Sequence, residues 1–267
     1  MNINKRIEYI ETLLEKRNGI FLGGPYNLII HSVLNTIDLY VLLDYYLAIH
    51  SESEIRKSIE SNIYKRTEYT NDYELLFDGV LQRLDGADYY QRQRIRKILI
   101  LLIPHLAISY RKHFFDIFYN SKYIYDTISA LSISKEIWNS NLDEVVLVDY
   151  LKKGNDAYLK AFLENGEISY SLPYLEQIWA LEPNDYLKMK LIIGLSRDYI
   201  EAFYFLRQSE PDKYLLAMSF SNKEIDDKTV TDCYNDIAED LKPYGLMCLG
   251  RLNKWTLLEK EIKKYIC

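Results

Sequence analysis

The chain is poor in the residues that usually punctuate a fold. Its ten glycines and six prolines make up about 6% of 267 residues, roughly half the usual share. Such scarcity disfavours folds that need many tight turns and favours helices joined by short loops. No segment alternates strictly between apolar and polar residues over the length of a strand. The sequence therefore predicts an all-α protein.

Cysteine and histidine are also sparse. The three cysteines are Cys233, Cys248 and Cys267. An odd, low count without a CxxC motif fits a reducing compartment. The four histidines are His31, His50, His105 and His113. The closest two are about two helical turns apart, which is too far to share an ion. We therefore expect no metal site.

The usual signatures of catalysis are missing as well. The sequence has no Gly-x-Ser-x-Gly motif, no phosphate-binding loop and no dinucleotide fingerprint. Gly23-Gly24-Pro25 precedes a helix, where an anion can bind in principle, but without a preceding strand the pattern indicates a turn. We therefore predict that the protein is not an enzyme and has no catalytic residue and no cofactor.

No apolar run predicts insertion into a membrane. The N-terminus continues into a charged amphipathic segment and not into an apolar signal core. Residues 25–50 are rich in Leu, Ile and Tyr, but Asp38 and Asp44 interrupt them, and the apolar run over 98–108 is too short to span. We expect a cytoplasmic protein without a membrane partner.

What the chain does contain is a repeated tyrosine–leucine pair. The copies are Tyr158-Leu159, Tyr186-Leu187 and Tyr214-Leu215, spaced 28 residues apart, and an imperfect Tyr244-Gly245-Leu246 that follows 30 residues later. A fixed period of this length is typical of stacked repeats. We expect each pair in the first turn of a helix that is followed by a turn and a second helix. Neighbouring hairpins would then share one core.

The unit that begins at Tyr186 gives the most detailed prediction. Its first helix is expected over 186–195, with an inner face made of Leu187, Leu191, Ile192 and Leu195. A turn is expected over 196–198. A second helix is expected over about 199–207, with Ile200, Phe203, Tyr204 and Leu206 buried. Glu210-Pro211 should end the unit, because the residue before a proline resists the helical conformation.

This unit resembles a HEAT-type repeat, most closely the short bacterial kind. Ile193-Gly194-Leu195 and Cys248-Leu249-Gly250-Arg251-Leu252 match a Leu-Gly-x-Leu-like pattern that often ends a helix in that family. Tyr-Leu stands where the family usually has Val-Arg, and larger residues replace its alanine-rich interior. The resemblance covers about residues 143–267. It implies an α-α superhelix, a solenoid of helical hairpins, and does not imply an activity.

The sequence thus predicts two regions. Residues 134–267 form a HEAT-like repeat array with a period of about 28–30. Residues 1–133 form an N-terminal helical region, either divergent repeats or a cap. The helices expected before the first Tyr-Leu copy cover 3–17, 25–49, 51–66, 72–84, 88–103, 105–119, 121–131 and 134–152.

The charge of the chain is unevenly distributed. Residues 1–133 hold 16 basic and 16 acidic side chains, whereas residues 134–267 hold 17 basic and 23 acidic ones. The second region therefore carries the whole net charge of −6. An expected helix over 228–241 concentrates this charge in an acidic stripe made of Asp232, Asp236, Glu239 and Asp240. Val230, Cys233, Ile237 and Leu241 would form its buried side. The stripe is either a solvated face or a surface that meets a basic protein.

A basic patch contrasts with this stripe. It consists of Arg83, Arg92, Arg94, Arg96 and Lys97. It is either a local set of salt bridges or a docking site for an acidic protein or an RNA strand. Tyr89 and Tyr90 lie nearby and are suited to stack bases.

The favoured function is non-catalytic protein binding, in which an acidic face meets a basic partner. A bacterial immunity protein or a regulatory adaptor would fit. The alternative is a HEAT-like nucleic-acid-binding protein, or an enzyme that acts on DNA bases, with the basic patch in a groove beside a tryptophan such as Trp138. Nucleic acid is the less favoured partner because phosphate contacts need Lys and Arg. The sequence indicates no particular oligomeric state.

Overall fold

The computed structural model of the chain describes residues 3–17, 24–49 and 53–266. Seventeen α-helices and six short 3-10 helices lie within these ranges, and no strand does. The prediction of an all-α fold is confirmed. The predictions made for Gly23, His50, Ser51 and Cys267 fall outside the described residues.

The chain divides into two compact units, residues 1–133 and residues 134–267. We refer to them as the N-terminal unit and the C-terminal unit. The helices of the N-terminal unit are α1 (Ile3–Arg17), α2 (Gly24–Asn35), α3 (Leu39–Ala48), α4 (Glu54–Thr70), α5 (Tyr73–Leu81), α6 (Tyr89–Leu102), α7 (Ile108–Tyr119) and α8 (Ile124–Ser132). Helix α4 packs against α1, α2 and α3, while α6 packs against α3, α5 and α8.

The single helix expected over 25–49 is wrong, because the chain bends by 112° between α2 and α3. Asp38 causes the new helix to begin. Its Oδ1 accepts hydrogen bonds from the backbone N–H groups of Tyr40 at 2.9 Å and Val41 at 3.1 Å. A carboxylate in this position satisfies N–H groups that the helix itself leaves unpaired.

No single helix among the described residues is long and apolar enough to cross a bilayer. The bent pair made of Tyr26–Asn35 and Leu39–Ala48 has the length and composition of a span only when its two halves are taken together.

Several other predicted helices differ from the observed ones at their ends. The helix expected to start at 105 begins at Ile108, because Ile103–His105 forms a separate 3-10 helix that contains Pro104. Ser53 caps α4, and its hydroxyl accepts from the backbone N–H of Arg56 at 3.4 Å. Asp88 caps α6 in a capping box with Gln91, which fixes the start of the helix that carries most of the basic patch.

The C-terminal unit contains the repeated pairs. Its helices are α9 (Ser140–Lys153), α10 (Asp156–Asn165), α11 (Leu175–Ala180), α12 (Asp185–Tyr199), α13 (Leu206–Ser209), α14 (Pro211–Phe220), α15 (Asp227–Asp236), α16 (Lys242–Arg251) and α17 (Trp255–Ile266). Helix α12 packs against α10 and α14, and α14 packs against α16. These four helices carry the successive Tyr-Leu copies within their first five residues, so helices one period apart are neighbours in space.

The leucine is buried in all three exact copies of the pair, and the tyrosine is not. Leu159, Leu187 and Leu215 are all buried. Tyr186 is 55% exposed, whereas the tyrosines of the copies before and after it are buried. The leucine is therefore the residue that fixes the common position in the core.

The inner face predicted for α12 is confirmed, since Leu187, Leu191, Ile192 and Leu195 are buried. The turn expected over 196–198 is wrong, because α12 continues to Tyr199. No glycine or proline interrupts it there. The second helix expected over 199–207 is replaced by a 3-10 helix at Ile200–Phe203 and the four-residue α13.

A polar contact joins equivalent points of two successive repeats. Asp156 Oδ2 accepts hydrogen bonds from the backbone N–H of Asn184 at 3.2 Å and from its Nδ2 at 2.6 Å. Asn184 is the N-cap of α12 and stands 28 residues after Asp156, which is one period. One repeat therefore positions the helix start of the next.

Candidate functional site

Two arginines of the basic patch converge on one buried carboxylate. Arg92 Nε lies 2.5 Å from Asp126 Oδ2, and Arg96 Nη1 lies 2.9 Å from Asp126 Oδ1. The Ser121 hydroxyl donates to the same carboxylate at 2.7 Å. The Asp126 side chain is 0% exposed, and a charge buried to this degree requires such partners. Part of the patch is thus an ion-pair cluster that joins α6 to α8.

Arg94 holds the end of a helix. Its Nη1 donates to the backbone oxygens of Tyr46 at 3.2 Å and Leu47 at 2.8 Å. These carbonyls belong to the last turn of α3, where no further turn supplies N–H donors. The guanidinium also complements the negative end of the helix dipole. Arg94 is buried, so this part of the patch is not a surface charge.

The other two members of the patch form ion pairs at its edges. Arg83 Nε binds Asp44 Oδ1, and Lys97 Nζ lies 2.6 Å from Glu60 Oε1. Four of the five basic residues are therefore in ion pairs, which reduces the positive charge that phosphate contacts would need. Lys97 nevertheless keeps more than half of its side chain exposed.

Three of these residues line one cavity of about 570 Å³, together with a fourth cation from another helix. Arg94, Arg96 and Lys97 come from α6, and Arg56 comes from α4. The other lining residues are Tyr46, Tyr90, Gln93, Ile100, Leu101 and Ser129. No carboxylate is among the described residues that line the cavity. We call it the cationic pocket; Arg83 and Arg92 are not part of its lining.

Glu60 binds two residues of the lining, Tyr46 and Lys97, without lining the pocket itself. The Tyr46 hydroxyl donates to Glu60 Oε2 at 3.1 Å, and Glu60 also binds Lys97. Burial, and after it the charge of Glu60, raises the pKa of Tyr46 well above its usual range. Tyr46 therefore stays protonated at neutral pH, and Glu60 accepts its one O–H. The groups of the pocket that suit an anion are its cations.

The acidic stripe is not a single helix face. Helix α15 ends at Asp236, so Asp240 and Glu239 lie beyond it in the 3-10 helix Glu239–Leu241. Asp236, Glu239 and Asp240 are exposed, whereas Asp232 is half-buried. None of the four forms an ion pair with another residue in the described ranges. The expectation that Leu241 is buried is wrong, since it is 40% exposed.

A lysine explains why α15 ends early. Lys242 Nζ donates to the backbone oxygens of Tyr234 at 2.6 Å and Asn235 at 3.0 Å. A lysine that binds the last carbonyls of a helix also complements the negative end of its dipole. The chain then leaves the helical conformation at Ile237.

The described cysteines offer no reactive thiol. Burial raises the pKa of Cys233 to about 12 and that of Cys248 to about 11. Both thiols therefore stay protonated at neutral pH, and a protonated thiol is a poor nucleophile. In the part of the chain that the structure describes, no group of three or more His, Cys, Asp or Glu is placed to hold a metal ion.

No protein-family model, no curated protein and no solved structure matches the chain. The HEAT-like resemblance therefore stays a prediction that depends on the residues quoted above. Trp138 belongs to the C-terminal unit, where its indole N–H donates to Asp143 Oδ1 at 2.8 Å. It does not line the cationic pocket.

Proposed function

We propose that this chain is a non-catalytic binding protein whose N-terminal unit takes an acidic side chain of a partner protein into the cationic pocket. One observation carries the proposal: four cations line a single cavity, and the carboxylates that pair with two of them, Asp126 and Glu60, lie outside its described lining. Positive potential in a concave site attracts an acidic segment and orients it during encounter.

The pocket is built to receive a carboxylate without rearrangement. Asp126 fixes the guanidinium of Arg96 through one nitrogen, Nη1, while a guanidinium carries five N–H donors in all. Lys97 likewise has three N–H donors on an ammonium group that remains partly exposed. Fixing the donors in advance lowers the entropy that binding would otherwise lose.

The repeat pattern of the sequence suits the same kind of function. A stack of helical hairpins of HEAT-like type acts by presenting surfaces. A regulatory adaptor or a bacterial immunity protein is such a molecule, and the sparse cysteines suit the reducing conditions of a cytoplasm. These assignments are part of the proposal.

The test uses the intact chain and a fluorescent oligoglutamate peptide as the acidic probe. We expect the double variant Arg56→Gln/Lys97→Gln to weaken binding by at least about tenfold, because two of the four cations are removed. Lys112→Gln/Lys122→Gln is the matched control, because it also removes two cations, and both lysines are exposed, lie in the same unit and are outside the pocket. Its affinity should stay within about twofold of the parent chain.

Two results would contradict the proposal. Equal losses in the pocket variant and in Lys112→Gln/Lys122→Gln would mean that the peptide senses only the overall charge. Tighter binding of an oligouridylate of the same charge, with the same dependence on Arg56 and Lys97, would favour the nucleic-acid alternative.

A second candidate function is the binding of a basic protein by the C-terminal unit. The observation that favours it is the set of exposed carboxylates Asp236, Glu239 and Asp240, which have no cationic partner within the described ranges. Unpaired like charges in proximity repel one another, and a cationic partner would relieve this repulsion.

We expect the charge reversals Asp236→Lys and Glu239→Lys, made together, to leave folding intact. They should weaken the binding of an oligolysine peptide by at least about fivefold. The control is Glu144→Lys/Glu176→Lys, which makes the same change at exposed positions of α9 and α11 in the same unit. If the peptide affinity of the Asp236→Lys/Glu239→Lys variant were unchanged, these carboxylates would be only a solvated surface.

A further inference from the structure

A second cavity of about 480 Å³ lies between α2 and α4 in the N-terminal unit. Helix α2 contributes Leu28, His31 and Asn35 to its lining, and α4 contributes Asn62, Lys65, Arg66, Tyr69 and Thr70. We call it the carboxamide pocket. It shares no lining residue with the cationic pocket and carries a different set of groups.

Its floor contains a buried polar group that is only half satisfied. Asn62 is 1% exposed, and its Nδ2 donates to Asn35 Oδ1 at 2.8 Å. The same Nδ2 lies 3.3 Å from His31 Nδ1. Asn62 Oδ1, in contrast, is buried and accepts no hydrogen bond. A buried acceptor without a donor is unfavourable, so a ligand that supplies an O–H or N–H would be held there.

The rim of the carboxamide pocket is positively charged. Lys65 is exposed at the edge. Arg66 Nη1 donates to the backbone oxygen of Ile37 at 2.7 Å, which fixes the guanidinium in place. Burial, and after it the charge of Lys65, lowers the pKa of His31, so this histidine is neutral at neutral pH. Because Lys65 and Arg66 are both cations, they would repel an ammonium group, so a neutral hydroxyl fits the floor better and an anion fits the rim.

We propose that the carboxamide pocket binds a sugar phosphate, either free or as the ribose phosphate of a nucleotide. A sugar hydroxyl donates to Asn62 Oδ1, and the phosphate lies against Lys65 and Arg66. The Tyr69 ring, 93% exposed at the mouth, offers a flat apolar face to the sugar or to an attached base. The cavity volume falls within the range of small-molecule sites, about 300–1,000 Å³.

The experiment is calorimetric titration of the full chain with ribose 5-phosphate and, separately, with inorganic phosphate. We expect ribose 5-phosphate to bind at least about tenfold more tightly, because only the sugar supplies a donor to Asn62. Equal affinity for the two probes, or no binding of ribose 5-phosphate, would overturn the proposal.

Two variants separate the floor from the rim. Asn62→Leu keeps a similar volume and should reduce the preference for ribose 5-phosphate over phosphate to less than about twofold. Lys65→Gln should weaken both probes by at least about fivefold. Lys57→Gln is the matched control on the same helix, because Lys57 is exposed, pairs with Glu54 and is outside the lining. An effect of Lys57→Gln equal to that of Lys65→Gln contradicts the proposal.

Thermal unfolding followed by circular dichroism shows whether Asn62→Leu folds. If it does not fold, Lys65→Gln still tests the proposal. Adenosine monophosphate distinguishes the two sources of the ligand. If adenosine monophosphate binds more tightly than ribose 5-phosphate, the site is assigned to a nucleotide. If it binds equally or more weakly, the site is assigned to a free sugar phosphate. Both results support the shared chemistry.

Discussion

The substitution Asp126→Asn will destabilise the N-terminal unit by about 3–5 kcal/mol. The Asp126 carboxylate is fully buried and binds Arg92, Arg96 and the Ser121 hydroxyl. Asparagine keeps the shape of the side chain but removes the negative charge, so two guanidinium groups lose their common counter-charge. Urea unfolding followed by far-ultraviolet circular dichroism measures the change in the free energy of unfolding.

Asp85→Asn is the control for this substitution. Asp85 is exposed, lies in the same unit and forms no ion pair with a described residue. Its replacement should change the free energy of unfolding by less than about 0.5 kcal/mol. A similarly small effect of Asp126→Asn would mean that the two arginines do not depend on the carboxylate, and the ion-pair cluster would lose its structural role.

The second large effect is expected in the repeat array. Leu187→Ala and Leu191→Ala should each destabilise the C-terminal unit by about 2–5 kcal/mol, because each removes a buried side chain and leaves a cavity. Both leucines are buried on the inner face of α12. Trp179 reports on this region by fluorescence, since Lys188 Nζ of α12 lies 5.0 Å from the centre of its ring.

Ile193→Ala is the matched control on the same helix. Ile193 is exposed, so its truncation should cost less than about 1 kcal/mol. If Ile193→Ala were as damaging as Leu187→Ala, the inner face of α12 would have been assigned to the wrong side of the helix, and the repeat register would be wrong with it.

Periodicity predicted the helices that carry the repeat, because apolar spacing reports which face is buried. The inner face of α12 shows this most directly, since all four residues assigned to it are buried. The same pattern did not predict where α12 ends. Ser196 is buried on the helix, and no local signal separates it from a turn residue.

The helix breaks that were missed have two kinds of cause. The break before α3 has a local signal, because an aspartate such as Asp38 that precedes an apolar run is a common N-cap. The early end of α15 has no such local signal in the sequence. It depends on Lys242, whose long side chain folds back onto the carbonyls of Tyr234 and Asn235. Such a contact depends on tertiary geometry.

The cationic pocket could be predicted only in part. Arg94, Arg96 and Lys97 are close in sequence, so their clustering is visible without a structure. Arg56 is on a different helix, and no motif connects it to the other three. The partners that hold the cluster, Asp126 and Glu60, are also distant in sequence, so packing alone decides which cations reach the pocket. The carboxamide pocket was missed altogether because asparagines carry no charge pattern.

The most direct test of the central claim measures whether an acidic partner occupies the cationic pocket. Reductive methylation of the full chain, with and without oligoglutamate, followed by mass spectrometry, gives the modification rate of each lysine. The proposal predicts that the peptide protects Lys97, which lines the pocket, and leaves Lys112, which is exposed outside it, unprotected. Equal rates at Lys97 with and without bound peptide would contradict it.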